Sequence, residues 1–204
     1  MTRRDDSKAE TKALILQAAQ SLFWEKGVDK CTIRGIALEA RVSPAAIIVH
    51  FKNKTALLEA VLSEDIGKTM GNALTTLPKE GGLHAILMHI ASAMLGLYDH
   101  NRELYKILIR DTLFEPSHES PTISRLDEES FTFLVSLIEK EKEAGRVSKG
   151  TDSFLAASSS FYLYIGSLRE FFRKPDLSVE KTLAIMAATL DQHLNGILVK
   201  GDKP

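Results

Sequence analysis

The amino-acid sequence predicts an all-α protein of about nine helices, in which an N-terminal three-helix head carries a helix-turn-helix and the remaining helices form a larger body. Three observations predict it. Apolar residues recur at helical spacing in one segment after another, and no run shows the strict alternation of a half-buried strand. The segments are bounded by helix punctuation, Ser, Thr or Pro in front and Gly or Pro behind. Two of them are short and separated by a three-residue turn, Arg41, Val42 and Ser43, the arrangement of a helix-turn-helix.

The first helix is expected to start at Ser7, with Glu10 three residues on, and to stop at Gly27. It places Ala13, Leu14, Ile15, Ala18, Leu22 and Phe23 mostly on one stripe. Thr32 caps a second, short helix that turns Ile33, Ile36, Ala37 and Ala40 inward and ends near Arg41. The next stretch, "SPAAIIVHFKNK", has the composition of a strand behind the start signal of a helix. The start signal decides: Ser43 is an N-cap, and Pro44 takes the first helical position, where a missing N–H is harmless. A longer fourth helix runs from Lys54 until Pro78 and the "PKEGG" connector stop it. Five more helical patterns follow, at about 83–98, 101–114, 122–144, 151–173 and 177–199, before a frayed polar tail.

A chain of 204 residues with 44% apolar side chains can bury a core without covalent staples. Cys31 is the single cysteine, so no intramolecular disulfide forms, and "MTRRDDSKAE" is polar rather than a secretory leader. A cytoplasmic location is the expectation. No stretch approaches the roughly 18 apolar residues of a membrane span, so no membrane partner is expected. Net charge is −1, yet residues 1–60 hold ten Lys and Arg against seven Asp and Glu, leaving sixteen against twenty for the rest. A basic head on an acidic body is compatible with a DNA reader whose other part does something else.

The head carries more than a pattern. The pieces "ILQAAQSLFWEKG", "TIRGIALEARVS" and "HFKNKTALL", at their spacing across roughly residues 8–62, resemble the N-terminal domain of the family named for the tetracycline repressor, the TetR-type transcriptional regulators. The resemblance implies a helix-turn-helix DNA-binding domain at 8–53, with the motif at about 32–51, and a ligand-binding and dimerisation domain at 54–200. It implies a dimer on a palindromic operator in double-stranded DNA, released by a small effector, with neither a cofactor nor a metal. Carried over by position, Thr32 becomes a phosphate-contacting cap and Arg34 a backbone or base contact. Ser43, Pro44, Ala45, Ala46, Ile48, Val49 and His50 become the groove-facing recognition helix. Lys54 becomes the phosphate anchor, helped by Lys52.

The sequence departs from that pattern at three positions. Many relatives have Gly where Arg41 stands, Gly where Ala45 stands, and an aromatic residue, commonly Tyr, where Ile48 stands. The last change removes a hydroxyl that would contact phosphate. The groove-facing surface is therefore apolar and suits thymine methyl groups, with His50 and Arg34 the main donors for base edges.

In the body, two late helices carry long apolar seams. Their residues Phe161, Ile165, Leu168, Phe172, Met186, Leu190, Leu194 and Ile197 are the candidate homodimer interface, in which two copies would form a four-helix bundle. A purely intramolecular core is the alternative on periodicity alone. Polar and aromatic groups embedded in apolar helices, His89, Tyr98, Tyr105, Arg110, Phe114, Phe131, Tyr162 and Tyr164, are candidates to orient a small apolar or aromatic effector. An enzyme reading finds little: Glu115 and His118 have the Glu-x-x-His spacing of metal bundles, but Pro116 puts them in a loop. No nucleophile elbow, phosphate-binding glycine loop or paired-cysteine metal site occurs. A helical adaptor that binds only protein would keep the seams yet has no use for Lys52, Lys54 and a capped recognition helix together.

Overall fold

The computed structural model describes residues 3–114 and 121–195, which form nine helices and no strand. The first, α1 (Arg3–Lys26), starts four residues before the expected Ser7. Asp5 and Asp6 lie in its first turn, where carboxylates complement the positive end of the helix dipole. Ser7 sits inside the helix instead of capping it, its carbonyl accepting the Thr11 hydroxyl at 2.8 Å. Ile15, Ala18, Ala19, Leu22 and Phe23 form the buried stripe, while Ala13 and Leu14 face out. Gly27, at φ +77°, ends the helix in the left-handed conformation that costs glycine least.

Two short helices follow, α2 (Ile33–Glu39) and α3 (Pro44–Phe51), each with the predicted cap. α2 packs on α1, and α3 packs on α2. Ile36, Ala37, Ala40, Ile47 and Phe51 are buried between them. In α4 (Lys54–Thr75), Leu57, Leu58, Val61 and Leu62 are buried. Later helices are α5 (Gly82–His100), α6 (Arg102–Phe114), α7 (Pro121–Glu143), α8 (Ser153–Arg173) and α9 (Val179–Asn195).

The chain divides into two compact units. One comprises Met1–Lys68 with Asn101–Leu126, so it extends beyond the three-helix head along α4 and takes in α6, whose Leu104, Tyr105 and Leu108 are buried. The other comprises Thr69–His100 with Asp127–Pro204. There α9 packs on both α5 and α8. Leu83, Ile86, Leu137, Ile138 and Ala157 form one of its apolar clusters, with Phe131 and Phe133 packed against it. α7 ends on Gly145 at φ +73°, with the Arg146 N–H bonded to the Glu141 carbonyl at 2.9 Å. The Glu141 carboxylate, itself buried, accepts the Arg146 Nε–H and Nη2–H at 2.7 Å each. This fork clamps the α7–α8 turn, and the arginine holds the Glu141 carboxyl below its ordinary value despite burial.

Candidate nucleic-acid interface

The α2–α3 turn is built from capping hydrogen bonds at both ends. The Thr32 hydroxyl oxygen accepts the Gly35 N–H at 3.0 Å, opening α2. At its far end Val42 N–H donates to the Ala37 carbonyl at 3.0 Å and Arg41 N–H to the Leu38 carbonyl at 3.2 Å. That bond pair is a Schellman ending, and it requires a left-handed residue between α2 and Ser43; Arg41 supplies it at φ +55°. The Ser43 hydroxyl oxygen then accepts the Ala46 N–H at 3.1 Å and opens α3. Both hydroxyls keep their own proton for an outside acceptor.

α3 presents two unlike faces. Ile47 and Phe51 point into the head and are buried, with the Lys12 ammonium 6.0 Å from the centre of the Phe51 ring. Half a turn away, Pro44, Ala45 and Val49 are exposed, Val49 at 76%, and Ile48 flanks them at 47%. Ala46 and His50 are half-buried. Cations stand at both ends of the exposed face: Arg41 in the turn before it and Lys52 after it, with Arg34 exposed on α2. Glu39 is an exposed acidic group on α2.

Lys52 has φ +60° and ψ −53°, and Asn53 N–H bonds back to the Phe51 carbonyl at 2.6 Å. These are the features of a classic γ-turn, a strained connection. It allows Asn53 to cap α4, its side-chain oxygen accepting the Ala56 N–H at 2.8 Å. Lys54, the expected phosphate anchor, is half-buried, and its ammonium donates to the Val28 carbonyl at 2.8 Å and the Cys31 carbonyl at 3.1 Å. Two of its three N–H groups therefore tie the start of α4 to the α1–α2 loop. The sequence offers no signal for this role, because the two carbonyls lie more than twenty residues upstream. Cys31 is buried beside them, its thiol donating to the Leu22 carbonyl at 3.3 Å, and burial pushes its pKa up. It is a packing residue, not a nucleophile.

Among the candidate effector residues, Tyr105 is buried and Arg110 exposed in the unit that holds the head. The others with described side chains belong to the second unit. There the Tyr164 hydroxyl donates to the Tyr98 hydroxyl at 3.5 Å, and the Tyr98 ring lies 5.8 Å from that of Phe172. Phe131 meets Phe154 edge to face at 5.2 Å. The His89 Nε2 lies 3.0 Å from the Thr76 hydroxyl and 3.2 Å from the Ala73 carbonyl, so it closes the end of α4. Tyr162, at 70% exposure, stands away from these groups. The Phe114 side chain, Glu115, His118 and Ile197 lie outside the described residues.

The candidate interface residues divide as well. Leu168, Met186 and Leu190 are buried within the chain's own helix layer, because α9 is already flanked by α5 and α8. Phe161, Ile165 and Phe172 are half-buried, and Leu194 is exposed. The large apolar residues that α8 and α9 leave exposed are Phe154, Leu155, Tyr162, Ile185 and Leu194. Periodicity marks both stripes as apolar and cannot say which one the chain covers itself. No cluster of His, Cys, Asp or Glu able to hold a metal occurs among the described residues, and none of their helices is long and apolar enough to cross a membrane.

Comparison with known proteins agrees with this geometry. Residues 15–61 match the family model described as bacterial regulatory proteins, tetR family. An HTH-type transcriptional regulator of Bacillus subtilis, YvkB, is 30% identical over 94% of this chain and 96% of its own length. The HTH-type transcriptional repressor BepR of Brucella suis is 25% identical over 84% of this chain and 85% of its own. Among solved structures, Thermus thermophilus FadR, a transcriptional repressor in complex with lauroyl-CoA, superimposes with a TM-score of 0.72 at 18% identity, covering 95% of this chain and 98% of FadR.

Proposed function

The chain belongs to the tetR family of bacterial regulatory proteins and is a DNA-binding transcriptional regulator, and from that premise we propose that it is a repressor that binds a palindromic operator as a homodimer and leaves it when a small, largely apolar effector binds the body. The observation that carries the DNA reading is α3 itself. It is capped at Ser43, anchored from behind by Ile47 and Phe51, and exposed in front between Arg41 and Lys52. Such a helix can enter the major groove while the flanking cations meet phosphates. Functionally, residues 8–53 read DNA, and residues 54–200 bind the effector and hold the dimer together. Lys54 keeps one donor for a phosphate while its other two fix the head to α4.

One α3 per chain reads one half-site, so a palindrome requires two chains. The exposed apolar residues on α8 and α9, Leu155, Tyr162, Ile185 and Leu194, support pairing of these helices with those of a second copy. The aromatic and apolar interior around Tyr98, Phe131 and Tyr164 supports an apolar effector, and the lauroyl-CoA bound by the FadR neighbour makes fatty acyl thioesters the first compounds to test. An effector that favours a body shape unsuited to the half-site spacing weakens DNA binding by reciprocal coupling, typically about 1–3 kcal/mol or roughly 5- to 150-fold.

Light scattering on the eluting protein should report two chains, and Ile185→Glu should shift it toward one. Gel shifts on DNA flanking the coding region should show salt-dependent binding that acyl-CoAs or aromatic compounds reverse. A monomer at micromolar concentration, or ligands that stabilise the protein yet leave operator affinity unchanged, would overturn the corresponding part of this reading.

A further inference from the structure

We infer that each recognition helix reads two thymine methyl groups about two base pairs apart, through Ala45 and Val49. The inference rests on the operator-binding reading above and deepens it by naming the bases. Ala45 and Val49 are four residues apart on α3 and lie opposite the buried Ile47, so both project where the groove floor would be. Neither side chain has a donor or acceptor. Between Pro44 and Val49 there is no Arg, Lys, Asn or Gln, the residues that read guanine or adenine edges bidentately. An apolar side chain in the major groove has one favourable partner, the C5-methyl of thymine.

Charge decides the occupant. An apolar face of this size would ordinarily suit a protein partner, but Arg41 and Lys52 bracket it along the helix and Arg34 is exposed on α2. That arrangement complements two phosphate backbones on either side of a groove. Four residues of helix rise span about 6 Å, close to two base-pair steps of about 3.4 Å. Two methyl-bearing pyrimidines at that separation would therefore meet Val49 and Ala45 together. Ile48, on the flank, faces the groove wall.

The test uses the full-length protein and duplexes it selects from a random pool. Selected half-sites should carry thymine at two positions about two base pairs apart. Replacing either thymine by deoxyuridine, which deletes only the methyl, should weaken binding about fourfold, or ~0.8 kcal/mol per methyl. Replacing the T·A pair by 5-methylcytosine·G should bind better than C·G by a similar factor. In Val49→Ala one of the two uridine penalties should shrink, and Val49→Gln should change the base selected at that position alone, adenine being the expected gain. Val49 is exposed, so neither variant threatens folding. Uridine duplexes that bind like thymine duplexes, or penalties that persist unchanged in Val49→Ala, overturn the inference while leaving the regulator reading intact. A pool in which no sequence is enriched overturns the regulator reading itself.

Discussion

Two residues around the recognition helix occupy backbone conformations that suit glycine, and Arg41 is the more telling. The same Schellman ending closes α7, where Gly145 holds the left-handed position, so the fold uses the expected residue in one place and an arginine in the other. A non-glycine residue there costs about 1–2 kcal/mol, partly offset because glycine loses more freedom on folding. Arg41→Gly is therefore expected to stabilise the head by up to about 1 kcal/mol in chemical denaturation. The same change removes a cation beside the groove, so the dependence of DNA affinity on salt should become shallower by about one phosphate contact. A variant that is more stable yet binds DNA less tightly would show that Arg41 is kept for the interface. Lys54 calls for the opposite pairing. Lys54→Ala is expected to cost about 1–2 kcal/mol of stability, since the Val28 and Cys31 carbonyls lose a charged donor. It should also weaken all duplexes alike, whereas His50→Ala should alter preference among them. Unchanged stability in Lys54→Ala would refute the bracing role assigned to it.

Contacts at helix ends add to the packing of buried faces, and the α7–α8 turn shows how such a contact responds to pH. The Glu141 carboxyl is held below its ordinary value by the Arg146 fork. A carboxyl lowered in the folded state adds stability that is fully present above its unfolded pKa, about 4.3, and that is lost as the pH falls through the lower folded value. Glu141→Gln should thus cost about 1–2 kcal/mol at neutral pH. The gap between variant and wild type should narrow as the pH drops below about 4.3. A gap that persists at the acid limit would assign the cost to packing rather than to the charged pair.

In the molecule as a whole, the division between compact units falls within α4, between Lys68 and Thr69. Gly67 and Gly71 flank that point, and a methyl added at either meets nothing within 4 Å. Glycine inside a helix costs about 1 kcal/mol relative to alanine, and here no close contact requires it. Gly67→Ala and Gly71→Ala are each expected to raise stability by about 0.5–1 kcal/mol. If bending at this point carries the effector's message, the double variant should bind operator normally and release it less readily on effector addition. Release as complete as in the wild type would place the transmission elsewhere.

Helix number, the helix-turn-helix and both of its caps could be read directly from the sequence. Those features depend on local chemistry: apolar spacing, a Ser or Thr oxygen three residues before an N–H, a proline in the first turn. α1 begins earlier than its best cap because Asp5 and Asp6 support a first turn that needs no serine. Other features depended on which distant segments meet. Lys54 reads as a phosphate anchor in the sequence, and only folding sets the Val28 and Cys31 carbonyls beside it. α6 reads as one more body helix, whereas in the structure it belongs to the unit that holds the head, with Leu104, Tyr105 and Leu108 buried. On α8 and α9 the apolar stripes were legible, but with α9 packed on α5 and α8 the interior takes Met186 and Leu190, while Leu155, Tyr162 and Ile185 stay outside. A helix's own sequence sets how many apolar faces it has, and only its neighbours in space determine which face remains to meet a partner.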